Sequence, residues 1–164
     1  MSAELPVSLS ELPPDRRRAA ILAWLRETDP QRLAALFAAA DRVRRARVGD
    51  AVHLRGLVEI SNICRCDCLY CGLRASNAAL PRYRMTSEEI LGCAAQAAAL
   101  GYGTVVLQAG ESEAFGVEEI AALVRRIKAE TPLAVTLGLG ERPPEDWAAW
   151  KAAGADRSEE HTSE

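Results

Sequence analysis

Two patterns of apolar residues divide the chain. Up to about residue 50, apolar positions recur at helical spacing, which predicts helices over 14–26 and 30–48. Prolines near both starts suit the first turn of a helix, and Gly49 is a plausible end for the second. We therefore expect residues 1–50 to form a helical segment.

From about residue 51, short apolar runs alternate with amphipathic stretches. The runs predict strands over 57–60, 104–108 and 133–137, and the stretches predict helices over 86–100, 117–129 and 143–153. Thr86 and Glu89 form a capping-box signature at the first of these helices. Three successive β-then-α units predict an α/β fold with a parallel sheet and helices packed outside it.

Three such units cannot close a barrel of eight, which needs about 250 residues. Residues 51–156 are therefore expected to be an open sheet or the first part of a larger barrel. Residues 157–164 are polar and aperiodic, and they match the in-frame translation of a common sequencing adapter. This match favours the larger barrel, with an adapter-derived tail.

Composition narrows the class of protein. The 164 residues are 49% apolar and 26% charged, which is typical of a globular domain. No apolar run approaches the ~20 residues of a membrane-spanning helix, and the first residues do not resemble a secretory signal. The net charge of −3 is small. We expect a cytoplasmic protein without a nucleic-acid or membrane partner.

Four cysteines within eight residues are the chemical signature of the chain. Cys64, Cys68 and Cys71 form a C-x3-C-x2-C motif directly after the first predicted strand of the sheet, and Cys66 lies between them. In α/β folds, ligands bind at this end of a strand. Three thiolates on one loop suit three corners of a 4Fe–4S cluster and leave the fourth iron open for a small molecule.

Two other interpretations of these cysteines stay open: a structural zinc site, and buried cysteines that bind no ligand. All four together could bind zinc, although zinc sites usually use two separated pairs. The three-cysteine motif does not require Cys66, which we interpret as a non-ligand. Cys93 lies on a predicted helix among apolar residues and is expected to be a small core residue.

The cysteine loop resembles the radical S-adenosylmethionine (SAM) superfamily. The strings CLYCGLR and RYRMT make the chain similar to the amino-terminal part of FeFe-hydrogenase maturase E, a relative of biotin synthase and methylornithine synthase. The strings VVLQAGE, AVTLGLGE and GADR extend this resemblance over about residues 50–157. It implies that the chain holds the first three β/α units of a (β/α)8 barrel.

The resemblance also implies roles for individual residues. Cys64, Cys68 and Cys71 would bind the cluster, Tyr70 would lie beside the adenine of SAM, Gly110 would allow a close backbone approach, and Glu111 would accept from the amino group of its methionine moiety. Tyr70 could instead be a loop anchor, and Glu111 a helix N-terminal charge. Gln108 and Thr136 are candidates for the substrate pocket or polar fillers of the barrel. Arg82 and Arg84 are expected to pair with carboxylates or to cover the site.

The implied activity is reductive cleavage of SAM to a 5′-deoxyadenosyl radical, in assembly of the FeFe-hydrogenase active-site cluster. The implied partners are a small-molecule or iron-complex substrate, an electron donor such as a ferredoxin or flavodoxin, and other hydrogenase maturases. A biotin synthase-like or methylornithine synthase-like enzyme is the alternative. A non-catalytic module that binds zinc or a cluster is the alternative from another class.

Overall fold

The computed structural model describes residues 12–159. The chain divides into two compact units, Met1–Val52 and His53–Glu164. The first unit contains α1 (Pro14–Leu25) and α2 (Pro30–Val48). The second contains, in chain order, β1 (Arg55–Ser61), α3 (Ser87–Ala99), β2 (Thr104–Ala109), α4 (Val117–Glu130), β3 (Ala134–Gly138), α5 (Pro144–Ala152) and β4 (Arg157–Ser158).

Local capping chemistry sets the starts of α2 and α3. Asp29 accepts from the backbone N–H groups of Gln31 and Arg32, and proline occupies the first turn of α2. At α3, the Thr86 side chain accepts from the N–H of Glu89, and the Glu89 carboxylate accepts from the N–H of Thr86. Both helices start as the sequence predicts, because these bonds satisfy amides that a helix leaves unpaired.

The four strands form one parallel sheet in the order β1-β2-β3-β4. The predicted parallel α/β architecture is therefore confirmed. The register places Gln108 of β2 between Glu59 of β1 and Gly138 of β3. Strand β4 is an addition to the prediction, because the two residues that pair with β3 had been assigned to the polar tail.

The helices cover one face of the sheet. Buried side chains of α3, α4 and α5 form a single core with the alternate strand residues Val58, Ile60, Val105, Leu107, Val135 and Leu137. Trp150 is buried in this core, and its indole N–H donates to the Val117 carbonyl. The opposite face carries the remaining strand positions, among them Leu57, Gln108 and Thr136.

Within residues 12–159, no helix is both long and apolar enough to cross a bilayer.

Candidate functional site

The loop between β1 and α3 carries the cysteine motif. This cysteine loop, residues 62–82, begins at the carboxyl end of β1 and contains neither a helix nor a strand. A connection of this length without secondary structure is uncommon in a compact domain unless it has a function. Cys68 is exposed, whereas Cys64, Cys66 and Cys71 are partly buried.

Short-range hydrogen bonds shape the cysteine loop. The N–H of Cys71 donates to the Cys68 carbonyl at 3.0 Å, and that of Ala75 donates to the Cys66 carbonyl at 2.8 Å. The Asp67 carboxylate accepts from the Ser76 N–H at 3.1 Å and from its hydroxyl at 2.6 Å. These two bonds lower the pKa of Asp67. The loop is therefore a folded unit.

The thiols of the cysteine loop are of the chemical type that binds iron–sulfur clusters. None of the five cysteines, all of which lie within residues 12–159, forms a disulfide. Among residues 12–159, no three His, Cys, Asp or Glu side chains form a group that could hold a metal ion. The structure places Cys64, Cys68 and Cys71 on one loop, where Cys68 is exposed and the other two are partly buried. Accessible thiols at this spacing are the donor type that iron–sulfur clusters use.

Gly110 lies where the loop after β2 meets the cysteine loop. Its N–H donates to the Ser61 carbonyl at 3.2 Å. A Cβ atom at this position would lie 2.5 Å from the Ile63 carbonyl oxygen and 2.8 Å from the Cβ of Cys64. The absence of a side chain at Gly110 therefore lets the two loops pack together beside the first cysteine of the motif.

Glu111 connects the loops that follow three strands. Its Oε1 accepts from Nε of Arg65 at 3.0 Å and from Nη2 at 2.7 Å. The Cys66 thiol and the backbone N–H of Glu141 also donate to this carboxylate. These bonds, with that from Arg65 the strongest, lower the pKa of Glu111. The carboxylate is thus held ionised beside the cysteine motif.

Glu111 does not act as an N-terminal charge of α4. That helix begins at Val117, and Glu118 and Glu119 are the acids of its first turn. The helix-start alternative for Glu111 is therefore wrong.

Cys66 differs from the other cysteines of the loop in its partner. Its bond to the Glu111 carboxylate, followed by desolvation, raises the pKa of the Cys66 thiol to about 11.

Tyr70 projects from the tip of the cysteine loop. Its side chain is 92% exposed, so it is not a loop anchor within the described chain. Its hydroxyl bonds the Cys68 thiol, and the pKa of Tyr70 is raised by the charge of Cys68 and by this bond. The aromatic face stays open to a planar ligand.

Gln108 and Thr136 lie on the sheet face opposite the helices. Gln108 is exposed at the carboxyl end of β2, and Thr136 is 3% exposed within β3. Their placement agrees with positions that would face the interior of a barrel. Neither contacts the cysteine motif through a bond that would assign it a role. Cys93 packs against the core from α3, as expected.

Arg82 and Arg84, which were expected to pair with carboxylates or to cover the site, have different partners. Arg84 pairs with the Glu119 carboxylate at 2.5 Å and lies 4.1 Å from the centre of the Phe115 ring. Arg82 binds backbone carbonyls of the cysteine loop instead of a carboxylate. Ser61 and Asn62, which are buried polar residues where β1 meets the loop, were not among the predicted site residues. Two consecutive polar residues at the end of an apolar strand were the sequence signal that could have identified them.

The chain is similar in sequence to two kinds of curated protein. No family model matches the chain. The [FeFe] hydrogenase maturase subunit HydE of Thermotoga maritima is 52% identical over 123 residues, which cover 75% of this chain and 35% of that protein. Biotin synthase of Cyanothece sp. is 36% identical over 151 residues, which cover 85% of this chain and 41% of that protein. The chain thus spans less than half the length of these relatives.

Solved structures agree on the fold. The crystal structure of methylornithine synthase (PylB) matches 92% of this chain and 44% of its own, with a TM-score of 0.75 and 24% identity. The structure of the [FeFe]-hydrogenase maturase HydG matches 85% of this chain and 32% of its own, with a TM-score of 0.73 and 23% identity. The four-stranded sheet therefore corresponds to part of the barrel fold of these structures. The sequence identity to HydE and to biotin synthase, together with this fold, shows that the chain belongs to the radical SAM superfamily.

Proposed function

We propose that this chain is part of an enzyme that cleaves SAM reductively, with a 4Fe–4S cluster held by Cys64, Cys68 and Cys71. The observation that carries the proposal is the placement of this three-cysteine loop at the carboxyl end of β1, against the Gly110–Glu111 loop of β2. When bound, such a cluster supplies the electron that splits SAM into methionine and a 5′-deoxyadenosyl radical. The residues of the chain bind, orient and shield the reactants.

Each site residue then has a defined task. Tyr70 presents an exposed aromatic face to the adenine. Glu111 stays ionised and accepts from the amino group of the methionine moiety, which is a charge-assisted contact. Gly110 keeps the two loops in contact. Gln108 and Thr136 contribute to the substrate pocket on the interior face of the sheet.

We further propose that the intact protein acts in assembly of the FeFe-hydrogenase active-site cluster. The 52% identity to HydE supports this role over that of a biotin synthase, since the biotin synthase of Cyanothece sp. is 36% identical. The substrate would be a small molecule or an iron complex, and a ferredoxin or flavodoxin would supply the electron in the cytoplasm. Other hydrogenase maturases would receive the product.

The test of SAM cleavage uses the intact protein that carries this sequence. After anaerobic reconstitution with iron and sulfide, SAM and dithionite should yield 5′-deoxyadenosine and methionine. Cys68→Ser should abolish this product. Cys93→Ser is the matched control, because Cys93 packs against the core from α3 and should leave the product unchanged. A colourless protein that retains zinc and forms no 5′-deoxyadenosine would contradict the proposal.

A genetic test distinguishes the proposed role in hydrogenase maturation from a role in biotin synthesis. The intact gene should restore hydrogenase activity to a strain that lacks HydE, and it should not restore growth to a biotin auxotroph. The reverse pattern would assign the protein to biotin synthesis and leave the proposed SAM chemistry in place.

A further inference from the structure

One arginine, at the end of the cysteine loop, binds backbone carbonyls at the start and in the middle of that loop. Nη1 of Arg82 donates to the Asn62 carbonyl at 2.7 Å and to the Leu73 carbonyl at 2.8 Å. Nη2 donates to the Arg74 carbonyl at 2.7 Å and, at 3.5 Å, to that of Asn77. Within residues 12–159, Arg82 forms no ion pair with a carboxylate. The Arg82 guanidinium therefore interacts with backbone carbonyls of the loop.

The geometry of these bonds requires a guanidinium. The four acceptors lie near both edges of one planar group, and Asn62 is more than ten residues from the other three along the chain. A guanidinium offers several N–H donors in a rigid plane, whereas a lysine ammonium is a point donor on a flexible stem. Lysine could satisfy some of these carbonyls but could not hold both segments at this spacing.

Two buried polar side chains close the base of the same loop. Asn62 is 5% exposed; its Nδ2 donates to the Pro81 carbonyl at 2.8 Å, and its Oδ1 accepts from the Tyr83 N–H at 2.7 Å. The Ser61 hydroxyl donates to the Tyr83 carbonyl at 2.9 Å and accepts from the Ile63 N–H at 3.1 Å. The loop therefore leaves and re-enters the sheet at one fixed point, and Arg82 ties its second half back to that point.

We propose that Arg82 is the positioning residue of the cysteine loop, and that it holds Cys64, Cys68 and Cys71 on one preformed backbone before a cluster binds. The inference rests on the proposed function, because that proposal assigns cluster binding to the cysteine loop. Ordering a flexible segment costs conformational entropy. When Arg82 orders the loop as the protein folds, that cost is removed from cluster binding.

The test compares amide hydrogen exchange in the reduced, iron-free intact protein and in Arg82→Lys. The informative amides belong to Ala75 and Asn77, which donate within the loop to the carbonyls of Cys66 and Arg74. Loss of the guanidinium should speed their exchange about tenfold. Exchange of the Val105 and Leu107 amides in β2 should stay unchanged, which separates local opening from unfolding. If those amides also lose protection, Arg82→Gln replaces the lysine variant.

Arg84→Lys is the matched control. Arg84 lies two residues away and donates to the Ala114 carbonyl and the Glu119 carboxylate, so it is comparably bonded outside the cysteine loop. Its substitution should leave loop exchange unchanged. After anaerobic reconstitution, Arg82→Lys should hold at most about half the iron of the wild type, whereas Arg84→Lys should hold the full amount.

The outcomes separate the two proposals. Unchanged loop exchange in Arg82→Lys, or faster exchange with full iron content, would overturn the role of Arg82 and leave the proposed enzyme function standing. A wild-type protein that binds no iron would contradict the proposed function. In that case the exchange comparison alone would still decide whether Arg82 holds the loop.

Discussion

At the residue scale, Gly110 and Glu111 join the cysteine loop to the rest of the site. A Cβ at Gly110 would collide with the Ile63 carbonyl and with Cys64, both backbone-anchored neighbours that cannot swing aside. The Glu111 carboxylate accepts hydrogen bonds from Arg65, from Cys66 and from the backbone N–H of Glu141. The relative placement of the loops therefore depends on the absence of a side chain at Gly110 and on the ionised carboxylate of Glu111.

Gly110→Ala should displace the cysteine loop and destabilise the protein by about 1–3 kcal/mol, the usual cost of overpacking. Urea unfolding measures the loss, and iron content after reconstitution should fall with it. Gly92→Ala is the control, because a Cβ there would meet nothing within 4 Å on the α3 surface. That substitution should stabilise the protein by about 0.5–1 kcal/mol. Equal effects of the two changes would refute the close approach at Gly110.

The capping box of α3 gives a second prediction for single residues. Thr86→Ala removes the side-chain acceptor for the Glu89 N–H and should cost about 1 kcal/mol of unfolding free energy. Thr86→Ser keeps the hydroxyl and should recover most of the loss. Thermal unfolding of both variants decides this, and equal melting temperatures for Ala and Ser would show that the cap contributes nothing.

At the scale of elements, short-range chemistry explains which parts of the fold were predictable. The starts of α2 and α3 follow from caps whose partners lie within three residues, so the sequence contains the whole interaction. Strand β1 begins two residues before its apolar run, because Arg55 and Gly56 pair with Thr104 and Val105 of β2. That extension depends on a partner about 50 residues away, which no local pattern contains.

The same reasoning applies to the site. The cysteine spacing is local, so the loop was found from the sequence. The tasks of Asn62 and Arg82 depend on contacts with backbone carbonyls 5 to 20 residues away, and a carbonyl has no sequence signature. Strand β4 was missed for a related reason, since its two residues are defined only by pairing with β3.

Asp156 ties the entry of β4 to β3 and gives a pH-dependent prediction. Its carboxylate accepts from the Val135 N–H at 2.8 Å and from Lys128 at 3.0 Å, and the Val135 bond is the larger cause of its lowered pKa. A folded pKa below the unfolded value of about 3.9 stabilises the fold above that pH, and the contribution is lost as pH falls through the folded pKa.

Asp156→Asn keeps an acceptor for Val135 but removes the charge. Because the Asp156 side chain is 45% exposed, the variant should lose only about 0.5–1 kcal/mol at pH 7. Urea midpoints measured from pH 7 to pH 2 should converge with those of the wild type below about pH 4. A difference that stayed constant over this range would show that the charge of Asp156 does not stabilise the fold.

At the scale of the whole molecule, the sheet presents an edge and an open face. Among the described residues, β1 pairs along its length with β2 alone, and its other edge makes one isolated bridge, between Ser61 and Arg84. Leu57 on the face opposite the helices is 58% exposed. Unpaired strand edges and exposed apolar faces promote association.

We therefore expect the 164-residue chain, expressed alone, to self-associate. Light scattering at increasing protein concentration should show particles larger than 17.7 kDa. Leu57→Lys should reduce this association, because it places a charge on the open face. A monomer that melts cooperatively would contradict the expectation.

The central claim is that three cysteines of the loop, and not the fourth, hold a cluster. Iron content should be measured in the intact protein and in four single Cys→Ser variants, at positions 64, 66, 68 and 71, after anaerobic reconstitution. We predict about four irons per chain in the wild type and in Cys66→Ser, and large losses in the other three. Loss of iron in Cys66→Ser to the level of the other variants would contradict the account.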